Sequence, residues 1–144
     1  MKLLTPHELI ETLPADDATV RSALALFDEI LPCDLRDPGV CLAAYKDGHV
    51  QATTVNVDGS PAHLLLHHLT YDRGLYIDVA KGLREGGRAA DIFAGVDQIA
   101  SARGAKYILF ATVRRGLVRL AQEHGYSPCS INLLKGAPCA TKER

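Results

Sequence analysis

Val79-Ala80-Lys81-Gly82-Leu83-Arg84-Glu85-Gly86-Gly87-Arg88-Ala89-Ala90 is the stretch on which the reading of this chain turns. A β-prone run enters it, glycine and arginine fill its middle, and an apolar helical pattern leaves it. The first-turn amides of a helix have no intrahelical acceptor, and the helix dipole places partial positive charge there. Gly86 and Gly87 put no side chain between an anion and those amides, while Arg84 and Arg88 add fixed charge. Strand, glycine turn and helix start together make a phosphate site. A solvated turn ahead of a glycine-relieved helix start is the plainer alternative, and only spacing within the whole chain separates the two. The loop has neither the Lys-Ser/Thr ending of a P-loop nor the full G-x-G-x-x-G of a dinucleotide fold.

Downstream of the loop, Ile92, Phe93, Val96, Ile99 and Ala100 recur on one face of a helix from Ala89 to Arg103, with Gly104 at the C-cap. Lys106 to Thr112 reads as a buried strand. Arg114 to His124 reads as a helix with Leu117, Val118, Leu120 and Ala121 inward, closed by Gly125, and Cys129 to Leu134 as a last strand. Upstream, Leu75 to Ala80 is a strand. Ala62 to Leu69 suits a strand, although Leu64-Leu65-Leu66 suits a helix equally. Asp58-Gly59-Ser60-Pro61 is a turn. Val40 to Tyr45 and Val50 to Val55 read as two strands joined over Lys46-Asp47-Gly48-His49, because Asp-Gly between β-prone runs signals a hairpin.

Thr5-Pro6-His7-Glu8 carries the signs of a helix start, predicting a short helix to about Leu13. Asp16 or Asp17 caps a second helix, in which Val20, Leu24, Phe27 and Leu31 share a face and which Pro32 ends. Helices, then antiparallel strands, then a βαβ unit predict an α/β (α+β) fold. Its sheet is mixed and mostly antiparallel, flanked by helices, in one domain spanning residues 1–144.

With 144 residues, 47% hydrophobic and 23% charged, the chain has the profile of a globular domain with a real core. Its formal net charge of −1 argues against nonspecific nucleic-acid binding, which needs a basic excess. No apolar run reaches the roughly 18 residues of a membrane span, and Met1 to Pro6 lacks the features of a secretory signal. Cys33, Cys41, Cys129 and Cys139 form no metal or redox motif, so the expectation is free thiols, no metal and a cytoplasmic location.

Arg84-x-x-Gly87-x-Ala89 resembles the R/Q-x-x-G-x-G/A signature of the GNAT (GCN5-related N-acetyltransferase) superfamily. Val79, five residues before the arginine, falls where that family's central strand ends. The helix from Ala89 resembles its cofactor helix, and the Asp47-Gly48 hairpin its second and third strands. Leu117 to Tyr126, ending Glu-His-Gly-Tyr, is similar to the close of its last helix. The resemblance implies acetyl-CoA as cosubstrate, with its pyrophosphate held over Arg84, Glu85, Gly86, Gly87, Arg88 and Ala89. Its pantetheine arm would lie between the Leu75–Ala80 and Lys106–Thr112 strands, bonded to the backbone of Ile77 to Val79. An N-acetyltransferase acting by direct attack in a ternary complex follows, with a small-molecule or protein amine as acceptor; the resemblance also allows a homodimer.

Two departures bear on turnover. Ala121 stands where many family members carry the tyrosine that acts as general acid, and Arg114 or a neighbour replaces a common asparagine. Strict alternation puts Arg73, Leu75, Ile77 and Val79 on one strand face, and Tyr76, Asp78 and Ala80 on the other. No carboxylate falls where the family's bases commonly sit. Asp72 is one residue off, and His67 and His68 point to opposite faces of their strand. His68 and Asp72 are therefore the candidate catalytic residues, an imidazole having an unperturbed pKa of about 6.5. Each has a plainer role available: hydrogen-bonded core or surface histidine for His68, turn former for Asp72. Asp78 suits a structural pair with an arginine, and Cys129 has no base in view. The alternative to an enzyme is a catalytically impaired GNAT-like module that binds CoA or serves a structural role.

Overall fold

Five strands assemble in chain order into one sheet, β1-β2-β3-β4-β5, antiparallel throughout except for the parallel pair β4–β5. The computed structural model describes residues 9–25, 38–112 and 115–129, the first three residues of the second segment by backbone alone. In order the elements are β1 (Ile10–Pro14), α1 (Asp17–Ala25), α2 (Pro38–Lys46), β2 (Gln51–Val57), β3 (Ser60–Leu69), β4 (Gly74–Gly82), α3 (Ala89–Arg103), β5 (Tyr107–Leu109) and α4 (Arg115–Glu123). The fold class is the one expected: a mixed, mostly antiparallel sheet with helices on its faces.

Alternation along β3 divides the core. Leu64 and Leu66 face α1 and α2, joining Val20, Leu24, Val50 and Val79. Leu65 faces the other way, into a cluster with Val55, Leu75, Ile77 and the Val96 and Ile99 of α3. The Leu64–Leu66 run is thus strand, its apolar character explained by burial on both faces.

Three expectations give way to the structure. Residues 10–13 are strand rather than helix: Ile10 to Pro14 pair with Val57 to Thr53, so sheet pairing overrides a local helix signal. Pro14 is tolerated because it ends an edge strand. Val40 to Tyr45 are helix, not strand. A run apolar at every position fits either period; here Cys41, Leu42, Ala44 and Tyr45 pack on the α1 side of the core, and Pro38 occupies the first helical turn, where proline is favoured. Asp47-Gly48 therefore closes a helix instead of a hairpin. Gly48 takes φ +80°, its N–H donates to Tyr45 O, and the His49 N–H donates to Ala44 O, a Schellman ending. The hairpin is the next one along: Asp58 and Gly59, at φ +55° and +82°, make a type I′ turn between β2 and β3.

Other elements fall as expected. The Asp16 carboxylate accepts the Thr19 N–H at 2.8 Å and caps α1. Gly104 and Gly125 close α3 and α4 with the same Schellman pattern as Gly48. Strand β5 is shorter than the Lys106–Thr112 run predicts, since pairing with β4 covers only Tyr107–Leu109. The Thr5–Glu8 signature, Phe27, Leu31, Pro32, Cys33, Arg114, Cys139 and all but the first residue of the Cys129–Leu134 strand lie outside the described residues.

Candidate functional site

β4 positions the site because it breaks its own register. The pairs run Leu66↔Val79 and then His67↔Ile77, leaving Asp78 as an extra, bulged residue. A bulge reverses which face each later side chain takes. Val79 therefore joins the α1–α2 side, while Ala80 joins Ile77 on the α3 side. The strict alternation expected from sequence, with Ile77 and Val79 on one face, is corrected on this account.

The ladder also decides which backbone groups are committed to β3. Leu83 N–H donates to Ala62 O at 2.9 Å, and Thr70 N–H to Gly74 O at 2.7 Å. Alternation from these anchors turns the amides and carbonyls of Tyr76, Val79 and Lys81 toward β3, and those of Ile77, Ala80 and Gly82 away from it. On that outer side β5 pairs only with Gly74, Leu75 and Tyr76. Beyond Tyr76 the pairing with β5 ends, leaving a gap in the ladder bordered by the polar backbone of Ile77 and Ala80. Of the two residues expected to offer backbone partners, Ile77 borders this side, while the Val79 backbone is turned toward β3. Behind the gap lies an apolar cleft lined by Ile77, Ala80, Ala89, Phe93, Phe110 and Tyr126. Burial pushes the Tyr126 phenol up to about 12, so it keeps its proton. The ring packs on Phe93 and Phe110, with centroids 5.3 and 5.4 Å away.

The end of the gap is the loop itself. Arg84, Glu85, Gly86, Gly87 and Arg88 are exposed, and Ala89 is half-buried at the cleft. Gly86 takes φ +82°, which a side chain would strain. Arg88 is the N-cap of α3 in extended conformation, and no side chain caps the helix there. The Asp91 N–H donates to Arg88 O at 3.0 Å, and no side chain covers the Ala89 and Ala90 amides, where Ser, Thr, Asp or Asn would ordinarily do so. Arg88 Nη2 donates to Asp91 Oδ1 at 3.0 Å, and that carboxylate is buried. Gly87 has a second reason for lacking a side chain: a Cβ there would sit 2.8 Å from His63 Cε1.

The two candidate catalytic residues are not brought together. His68 stacks on Tyr76 at 5.5 Å between ring centroids, and its Nδ1 lies 2.7 Å from Asp78 Oδ2. The imidazole is 36% exposed and the carboxylate 19%. The bulge at Asp78 makes this pair, directly beside the Ile77 backbone that borders the gap. Asp78 thus has a histidine partner among the described residues. Asp72 lies in the turn between β3 and β4, accepting from Thr70 Oγ1 and Tyr107 Oη, each at 2.6 Å. Those hydroxyls hold its carboxyl below the usual range, and its lone pairs tie the turn before β4 to β5.

Sequence reading missed His63 and the pairing of Asp78 with His68. Neither leaves a local mark, since one depends on a bulge and the other on strand β3 meeting the start of α3. Ala121 is buried, as the helical pattern predicts. Among the described residues no group of His, Cys, Asp and Glu could hold a metal ion. No described helix is long and apolar enough to cross a membrane.

No protein-family model matches the sequence, and no curated protein matches it. Solved structures do. An aminoglycoside N-acetyltransferase in complex with CoA aligns at TM-score 0.60 and 14% identity, over 94% of this chain and 100% of its own. The ribosomal-protein-alanine N-acetyltransferase of Brucella melitensis biovar Abortus 2308 aligns at TM-score 0.60 and 13% identity, over 90% and 100% of the two chains. Ard1 from Thermoplasma volcanium aligns at TM-score 0.60 and 11% identity, over 84% of each. At such identities the likeness is one of fold, and that fold is the GNAT-like acyl-CoA N-acyltransferase fold.

Proposed function

We propose that this chain is an N-acetyltransferase that takes acetyl-CoA as cosubstrate and an amine as acceptor. The observation that carries the reading is the gap between β4 and β5, which runs from a pair of outward-facing backbone groups to an uncapped helix start. A pantetheine arm carries amides that would complete the ladder at Ile77 and Ala80. Its pyrophosphate suits the amides of Ala89 and Ala90 with the charges of Arg84 and Arg88. The neighbours in fold that act on an aminoglycoside and on a ribosomal-protein alanine support an amine acceptor, small or protein-borne.

A thioester supplies an activated acyl group, so the chain's part is to bind, to orient and to handle the acceptor's proton. His68 is the candidate base. With Nδ1–H donated to Asp78, Nε2 is the basic nitrogen and can accept a proton from an ammonium acceptor before it attacks. Asp78 orients the ring. In a transfer assay over a panel of amines, His68→Gln is expected to lower kcat by roughly 10²- to 10⁴-fold. Affinity for acetyl-CoA is expected to hold. An unchanged kcat in His68→Gln would remove the base from this account.

A second reading has its own observation. Ala121 offers no acid for the leaving thiolate, and Tyr126, pushed up to about 12, is a poor substitute. A module that binds CoA without turnover fits those facts. Tight binding of acetyl-CoA with no transfer to any amine of the panel would favour it.

A further inference from the structure

Beneath the loop lies a histidine that the proposed reaction does not use. His63 stands on β3 opposite Gly82 and is only 4% exposed. Its Cε1–Nε2 edge lies under Gly87: a Cβ there would be 2.8 Å from Cε1 and 3.2 Å from Nε2. Neither ring nitrogen makes a hydrogen bond of good geometry among the described residues, the Arg88 backbone being its one nearby polar partner. Buried polar atoms are rarely left unpaired, and this pair of nitrogens sits against the uncapped start of α3.

The charges facing His63 come from two elements. Asp91 on α3 favours the imidazolium, as does the Arg88 backbone, while Arg84 on the loop opposes it. Its strand partners, Val55 on β2 and Gly82 on β4, contribute no charge. Burial is the largest influence and holds the ring below the usual histidine range, so it is neutral at pH 7 in the free protein.

We infer that His63 is a positioning residue of the anion site, taking up a proton when a diphosphate seats on the start of α3. The inference rests on reading the loop as a CoA site. A diphosphate over the loop offsets the Arg84 charge that opposes protonation and adds negative charge above the ring. Both changes favour the imidazolium. Once charged, His63 gives the buried Asp91 a second cationic partner, and Arg88 is released from Asp91 toward the anion. The proton comes from solvent, so the linkage appears as affinity that rises as pH falls.

Calorimetry of the intact chain with 3′-dephospho-CoA tests this, because that probe keeps the diphosphate and lacks the titrating 3′-phosphate. Titrations at pH 7 in two buffers of different ionisation enthalpy report the protons taken up. Net uptake by the unaltered chain, a severalfold gain in affinity from pH 8 to pH 6, and loss of both in His63→Gln are expected. Binding with no uptake, or with the same uptake in both proteins, would overturn the role of His63 alone. Absence of binding to either protein would overturn the CoA site and this inference with it. Should His63→Gln not fold, the unaltered chain decides: affinity flat between pH 8 and pH 6 overturns the proposal.

Discussion

His67 shows what a buried imidazole does to this protein when no ligand is involved. Its Nε2 is 2.8 Å from Thr53 Oγ1, its Nδ1 has no partner among the described residues, and only 1% of it is exposed. Burial first, then the charge of Arg103, pushes the ring down to about 4. The unfolded chain, with histidine near 6.5, binds this proton about 2.5 pH units earlier. Stability is therefore full above pH 6.5 and declines as pH falls toward 4, by on the order of 3 kcal/mol from this residue. Urea denaturation at pH 7 and pH 4.5 is expected to show the decline, and His67→Gln to flatten much of it. A parallel decline in the variant would assign the acid sensitivity elsewhere. Sequence reading separates His67 from His68 by strand alternation alone, and the strand does place them on opposite faces. The chemistry of each is not legible there, because Thr53, Arg103 and Asp78 arrive by pairing and by a bulge.

At the scale of elements, glycine carries most of what was legible and most of what was misread. Gly104 and Gly125 end helices as their positions predict. Gly48 ends one too, yet reads as a hairpin, because a left-handed glycine after Asp serves either purpose and the flanking apolar run has no clear period. Gly95 works through packing instead. A Cβ there would meet Val55 Cγ2 at 2.5 Å, and Val55 is fully buried beneath α3. In a free helix Gly→Ala gains about 1 kcal/mol; forcing a methyl into a filled core costs typically 1–3 kcal/mol. At such a separation the clash wins, so Gly95→Ala is expected to destabilise the chain. Gly95→Ala with Val55→Ala is expected to lose less than the two single changes summed. Thermal melts of the four proteins check the coupling. Strict additivity would mean that α3 shifts freely over the sheet.

Across the whole molecule, the sheet order and the loop after β4 build the candidate site between them. The loop and the helix it opens are legible because anion binding needs local features only: glycine, arginine and a helix start. The gap is legible only through resemblance, since it depends on β5 pairing with three residues of β4 and no more. The bulge at Asp78 leaves no sequence signature, yet it decides which backbone groups border the gap and brings His68 to a carboxylate. On the proposed function, the start of α3 holds the pyrophosphate of a CoA thioester. Ala90 is exposed in the first turn of α3, where an added carboxylate suits the helix dipole and repels an anion. Calorimetric titration with acetyl-CoA of the unaltered chain and of Ala90→Glu tests this. Saturable binding is expected of the former, with at least a tenfold loss in the latter, about 1.4 kcal/mol, and an unchanged melting temperature. No binding by the unaltered chain, or equal binding by both, would contradict it.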